Sequence, residues 1–126
     1  MAEGATITFT DPDGYVAGFG DAHVNLTITG AGDFKARLTR LKLKHLEICR
    51  FRESLPRIAF ISLPPERIFV SFSVGKVPPI FDGFVIRNGD AILHGRGACM
   101  HQRSSGECQW GWYPCRPSNS KIMPRH

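Results

Sequence analysis

From His23 onward the chain is divided into short apolar runs by residues that cannot remain inside a strand. In the clearest run, Ile68-Phe69-Val70-Ser71-Phe72-Ser73-Val74, twofold alternation puts Ile68, Val70, Phe72 and Val74 on one face. Pro56, Pro64-Pro65 and Pro78-Pro79 lack the amide that a sheet ladder needs, while Asp82-Gly83 and Asn88-Gly89 favour the positive-φ geometry of tight hairpins. Between these breaks lie Val24/Leu26/Ile28, Phe34 to Leu43, Leu46 to Arg52, Ile58 to Leu63, Phe84 to Ile86, Ala91 to Leu93 and Gln109 to Tyr113. Many short strands at turn spacing, with almost no helical period, specify a sandwich or a barrel. The expected fold is all-β, a jelly-roll barrel.

Local chemistry refines this expectation at two places. Asp11 can cap a helix and Pro12 can occupy its first turn, while Gly14, Gly18 and Gly20 hold that helix to about two turns. The apolar phase slips by one residue between Leu38 and Leu41 and again between Leu43 and Leu46. Each slip predicts a bulge or a hairpin turn, because an uninterrupted strand would carry its apolar set to the wrong face.

At 126 residues the chain fits one domain, and its 42% hydrophobic and 21% charged content is that of a globular protein. The expected organisation is a folded domain over 1–115 and a disordered tail over 116–126, where prolines end regular structure. The start of the chain lacks a basic stretch followed by an apolar one, and no apolar run reaches the length of a membrane span, so a cytoplasmic protein without membrane contact is expected. That compartment makes Cys49, Cys99, Cys108 and Cys115 free thiols, with Cys49 and Cys99 as small core residues. The spacing of Cys108, Cys115 and any His is too irregular for zinc.

The net charge of +5 is concentrated between residues 34 and 57, in Lys35, Arg37, Arg40, Lys42, Lys44, Arg50, Arg52 and Arg57 against Glu47 and Glu53. Such a cluster can hold phosphate or nucleic acid. Its alternation with Phe34, Ala36, Leu38, Leu41 and Leu43 reads instead as the solvated face of a strand, and no direct nucleic-acid binding is expected.

Catalytic motifs are missing. There is no nucleophile elbow, phosphate loop or dinucleotide fingerprint, and the sparse carboxylates lie mainly at turns. A barrel interior remains, in which Leu46, Ile48, Phe72, His101 and Trp110 can line a largely apolar pocket with a few polar handles; these are the candidate ligand-binding residues. No catalytic residue, metal ligand or cofactor is expected.

The run from Asn88 to His101, with Gly95-Arg96-Gly97 inside it, resembles the second conserved motif of cupin barrels. In cupins that motif contributes one metal ligand, and a pair of His with a following Glu in the first motif supplies the others. Here His45-Leu46-Glu47 has no second His, Gly95 stands where the family usually has Pro, and His101 falls one residue late. A catalytic metal needs about three protein ligands. A small cupin-type metal-dependent enzyme using His45, His94 or His101 is therefore the alternative reading.

Four segments taken in order resemble the N-terminal regulatory domain of AraC-type transcription regulators. They are Phe9 to Asp13, Gly32 through Arg50, Glu53 to Arg57, and Gly89 to Gly97, and the similarity extends over roughly residues 9 to 113. The resemblance implies a cupin-like domain that usually holds no metal, senses a small-molecule effector or forms a homodimer, and precedes a DNA-binding module. Nothing after Tyr113 has the length or helical period of such a module. The leading expectation is a non-catalytic sensing or dimerisation domain without its DNA reader.

Overall fold

The computed structural model describes residues 3–74, 77, 79–87 and 89–115. The expected tail over 116–126 lies outside them. Among the described residues eleven strands and one short helix follow in the order β1 (Glu3–Phe9), α1 (Pro12–Ala17), β2 (His23–Ile28), β3 (Ala36–Lys42), β4 (Glu47–Glu53), β5 (Arg57–Ser62), β6 (Ile68–Ser73), β7 (Ile80–Phe81), β8 (Phe84–Val85), β9 (Ala91–His94), β10 (Cys99–Ser104) and β11 (Cys108–Cys115). All pairings are antiparallel and form two sheets, a six-stranded one ordered β1-β3-β4-β11-β6-β9 and a five-stranded one ordered β2-β5-β10-β7-β8.

The pairings are nested. β7 pairs with β8, β6 with β9, β5 with β10 and β4 with β11, as if one long hairpin had been folded repeatedly across two sheets. Its tip is the two-residue turn at Asp82 (φ 51°) and Gly83 (φ 84°), the positive-φ pair expected from Asp-Gly. On the outgoing arm each crossing between sheets carries proline, with Pro56 before β5, Pro64-Pro65 before β6 and Pro79 before β7. On the return arm the crossings carry Gly89, Gly95 and Gly97, and Gly106. Proline ends pairing by withholding a donor and glycine does so by allowing reversal. Because the chain leaves one sheet before entering the next, the expected barrel does not close. The six-stranded sheet ends at β1 and β9, and the five-stranded sheet at β2 and β8.

The helix forms as expected, with Asp11 Oδ2 accepting from the Gly14 amide at 3.0 Å and Pro12 at its start. It packs against β1 and β2 and sends Tyr15 into the core. The Asp11-Pro12 signal obscured β1, whose alternation of Ile7 and Phe9 with Thr6 and Thr8 is short and pairs with a distant strand. The second phase slip is the β3–β4 turn, closed by the Leu43 amide donating to the Leu46 carbonyl at 2.7 Å. The first slip is neither bulge nor turn. β3 keeps one register from Ala36 to Lys42, and Arg40 occupies an inward-phase position where its guanidinium donates to the Gly18 carbonyl at 2.9 Å.

The core lies between the inner faces. Phe19, Phe51, Trp110 and Trp112 form its aromatic centre, with Phe51 and Trp110 stacked at 4.2 Å between centroids. The inward placements of Phe72 and Cys99 expected from the sequence are reversed. Phe69, Ser71 and Ser73 form the buried side of β6, so Ile68, Val70 and Phe72 face outward. On β10, Met100, Gln102 and Ser104 point inward, leaving Cys99 exposed rather than in the core.

Candidate functional site

The five residues expected to line an interior pocket lie on different surfaces. Trp110 is fully buried in the aromatic stack. Ile48 and Phe72 are half-buried on the outer face of the six-stranded sheet, and Leu46 is in the turn before β4. His101 is on the outer face of the five-stranded sheet, its ring 4.8 Å from that of Phe60. The histidines of the metal-enzyme reading are equally separated. His45 is exposed in the β3–β4 turn, whereas His94 is only 5% exposed and sits inside with Nε2 3.0 Å from Ser71 Oγ. Burial holds the His94 pKa below the ordinary imidazole value. Among the described residues no three His, Cys, Asp or Glu side chains cluster as metal ligands would.

A different constellation appears on the outer face of the six-stranded sheet. On β3, Arg37 lies directly across from Arg52 of β4, and Thr39 lies across from Arg50. On the other side of β4, Gln109 of β11 faces Arg52 and Gly111 faces Arg50. Three strands thus present a two-by-three array of three guanidinium groups, an amide, a hydroxyl and a glycine. Arg37, Thr39, Arg50, Phe51, Arg52 and Gln109 line an open recess of ≈ 170 Å³. Arg52 pairs with Glu107 at 2.9 Å, a surface contact in which both side chains are about half exposed. Among the described residues Arg37 and Arg50 have no carboxylate partner.

The array is bounded by an apolar shelf. Gly111 lets the Phe72 ring lie over the sheet beside Arg50, and a Cβ there would fall 2.5 Å from Phe72 Cζ and 2.7 Å from the Cys49 carbonyl oxygen. Tyr113 stands 6.3 Å from Phe72 between ring centroids, and Ile48, Leu41 and Val70 are half-buried on the same face. The sequence shows these arginines only as a charged strand face. Their convergence depends on β3–β4 register and on β11, which arrives from far along the chain. No family model matches the sequence, and no curated protein matches it either.

Inside the sandwich a second polar group lies beneath the β4–β5 corner. Glu53 is 2% exposed and accepts from Arg57 Nε, Tyr15 Oη, Trp110 Nε1 at 3.2 Å and Cys108 Sγ at 3.6 Å. Burial alone would raise its pKa. The Arg57 guanidinium beside it, with hydrogen bonds from Arg57, Tyr15 and Trp110, overrides burial and holds the carboxyl below its ordinary range. Arg57 also donates through Nη2 to Gln102 Oε1, while its Nη1 is buried with no partner among the described residues. Burial, with the Glu53 charge nearby, pushes the Cys108 thiol up to about 12. A carboxylate kept ionised and enclosed, beside a thiol kept protonated, can hold strands together.

Proposed function

We propose that this chain is a non-catalytic binding module of cupin-like jelly-roll architecture, taking a small-molecule ligand on the outer face of its six-stranded sheet. The nested pairing of β4–β11, β5–β10, β6–β9 and β7–β8 supports the jelly-roll reading, since two interleaved Greek keys across two sheets define that topology. One observation carries the binding reading. The interior is filled by Phe19, Phe51, Trp110 and Trp112, whereas convergent polar groups beside an apolar shelf occur around the outer recess.

The resemblance to AraC-type regulatory domains supports a sensing or dimerising role for such a module. Pairing between copies is further supported by β9, an edge strand with Leu93 68% exposed. The test is thermal unfolding of the full chain against a panel of small metabolites, together with sedimentation velocity. Ligand-dependent stabilisation is expected, because a ligand bound only by the folded state raises the melting temperature with its concentration. A flat response across the panel overturns the binding reading, and a monomer at all concentrations overturns the dimerising one.

A further inference from the structure

We propose that the recess bounded by Arg37, Arg50, Arg52, Thr39 and Gln109 binds the phosphate or sulfate group of a small ester; this rests on the binding-module reading above. Arg37 and Arg52 face each other directly across β3 and β4, a placement of like charges that weakens a sheet; Glu107 offsets it at Arg52, while Arg37 has no carboxylate partner among the described residues. Arg50 lies two residues from Arg52 on the same face of β4, so three guanidinium groups from two neighbouring strands line one recess.

The geometry selects the anion. A guanidinium is a planar fork of donors, and a carboxylate offers it two oxygens lying in one plane. A tetrahedral oxyanion accepts donors from several directions at once, and the recess wall adds the Gln109 amide and the Thr39 hydroxyl, which also meets Thr6 Oγ1 at 3.2 Å. Size narrows the class further, because ≈ 170 Å³ is below the roughly 300–1,000 Å³ of pockets that enclose whole drug-sized ligands. The recess accommodates a head group. The rest of the ester would extend along the Phe72 and Tyr113 shelf. That shelf also interrupts the cationic surface, which a polynucleotide would need as a continuous stripe.

Isothermal titration of the full chain tests this with inorganic phosphate, inorganic sulfate, a hexose 6-phosphate, the unmodified hexose and a short oligonucleotide. The hexose 6-phosphate is expected to bind more tightly than the free hexose, and binding should weaken between 0.05 and about 0.5 M salt. Arg37→Gln and Arg50→Gln should each raise the dissociation constant at least about tenfold. Arg67→Gln, which removes an exposed partner of Asp21 elsewhere, should leave it unchanged. Urea midpoints of the two recess variants should equal or exceed the parent's, since each substitution relieves repulsion.

Comparable loss in Arg67→Gln would reduce the effect to net charge and overturn the inference. So would binding of the oligonucleotide alone. Equal affinity for the hexose and its phosphate overturns the oxyanion assignment and leaves the binding module standing. Failure of these ligands together with the metabolite panel removes both.

Discussion

Glu53→Gln is the most direct test of what holds this sandwich together. The substitution keeps the shape of the side chain and removes its charge, leaving the Arg57 guanidinium, 1% exposed, without its counter-ion. Breaking a buried ion pair from one side typically costs about 3–5 kcal/mol, because the remaining charge has lost its water as well as its partner. Small domains have only about 5–15 kcal/mol in total. For a chain of this length such a loss corresponds to a drop in melting temperature of roughly 12–20 °C.

Urea unfolding followed by the fluorescence of Trp110 and Trp112 reads the effect, since both rings are in the core that Glu53 joins. The double variant Glu53→Gln/Arg57→Met should recover more than half of the loss, because no charge then remains buried and the unpartnered Nη1 is gone as well. The pH dependence follows from the sign of the shift. A carboxyl held below its unfolded value of about 4.3 contributes fully above that pH, and its contribution disappears as pH falls through the folded value. The parent should lose stability steeply below about pH 4, while Glu53→Gln loses this component. A shift smaller than about 1 kcal/mol, or parallel acid limbs in parent and variant, would refute the assignment.

Two further outcomes depend on packing. Gly111→Ala should cost about 1–3 kcal/mol in urea unfolding, because its methyl meets the Phe72 ring and the Cys49 carbonyl, and a neutral result would mean that Phe72 does not cover the strand. Alkylation at pH 8 followed by mass spectrometry should modify exposed Cys99 in the native protein and Cys108 only in denaturant; native labelling of Cys108 would contradict its burial beside Glu53.

Much of the fold was legible in local chemistry. The Asp11-Pro12 cap, the Asp82-Gly83 hairpin and the alternation of β2, β5 and β6 depend on residues close in sequence. Alternation identifies which residues share a face, but not which face is inward. On β6 the apolar set faces outward because Ser71 meets His94 and Trp112, residues supplied by strands still to come. Glu53 and Arg57 look like ordinary charges of a corner until Tyr15, Gln102 and Trp110 are brought around them. Trp110, read as a pocket wall, belongs to that same convergence. The arginine array was legible as composition but not as a site, since Arg37, Arg50 and Arg52 converge only through strand pairing.

The central place of β11 governs when this molecule can become itself during synthesis. Its residues separate β4 from β6, with Trp110 beside Phe51 on one flank and Ser73 on the other. Roughly 35 residues must be added after Ser73 before Cys108 appears, an interval of roughly 2–7 s at ordinary ribosome speeds. Throughout it both flanking strands have an open ladder and Phe51 and Phe69 lack their indole neighbours. A ribosome stalled in that window would display a ready template for aggregation, so the nascent chain rather than the finished protein is where chaperone dependence should be sought.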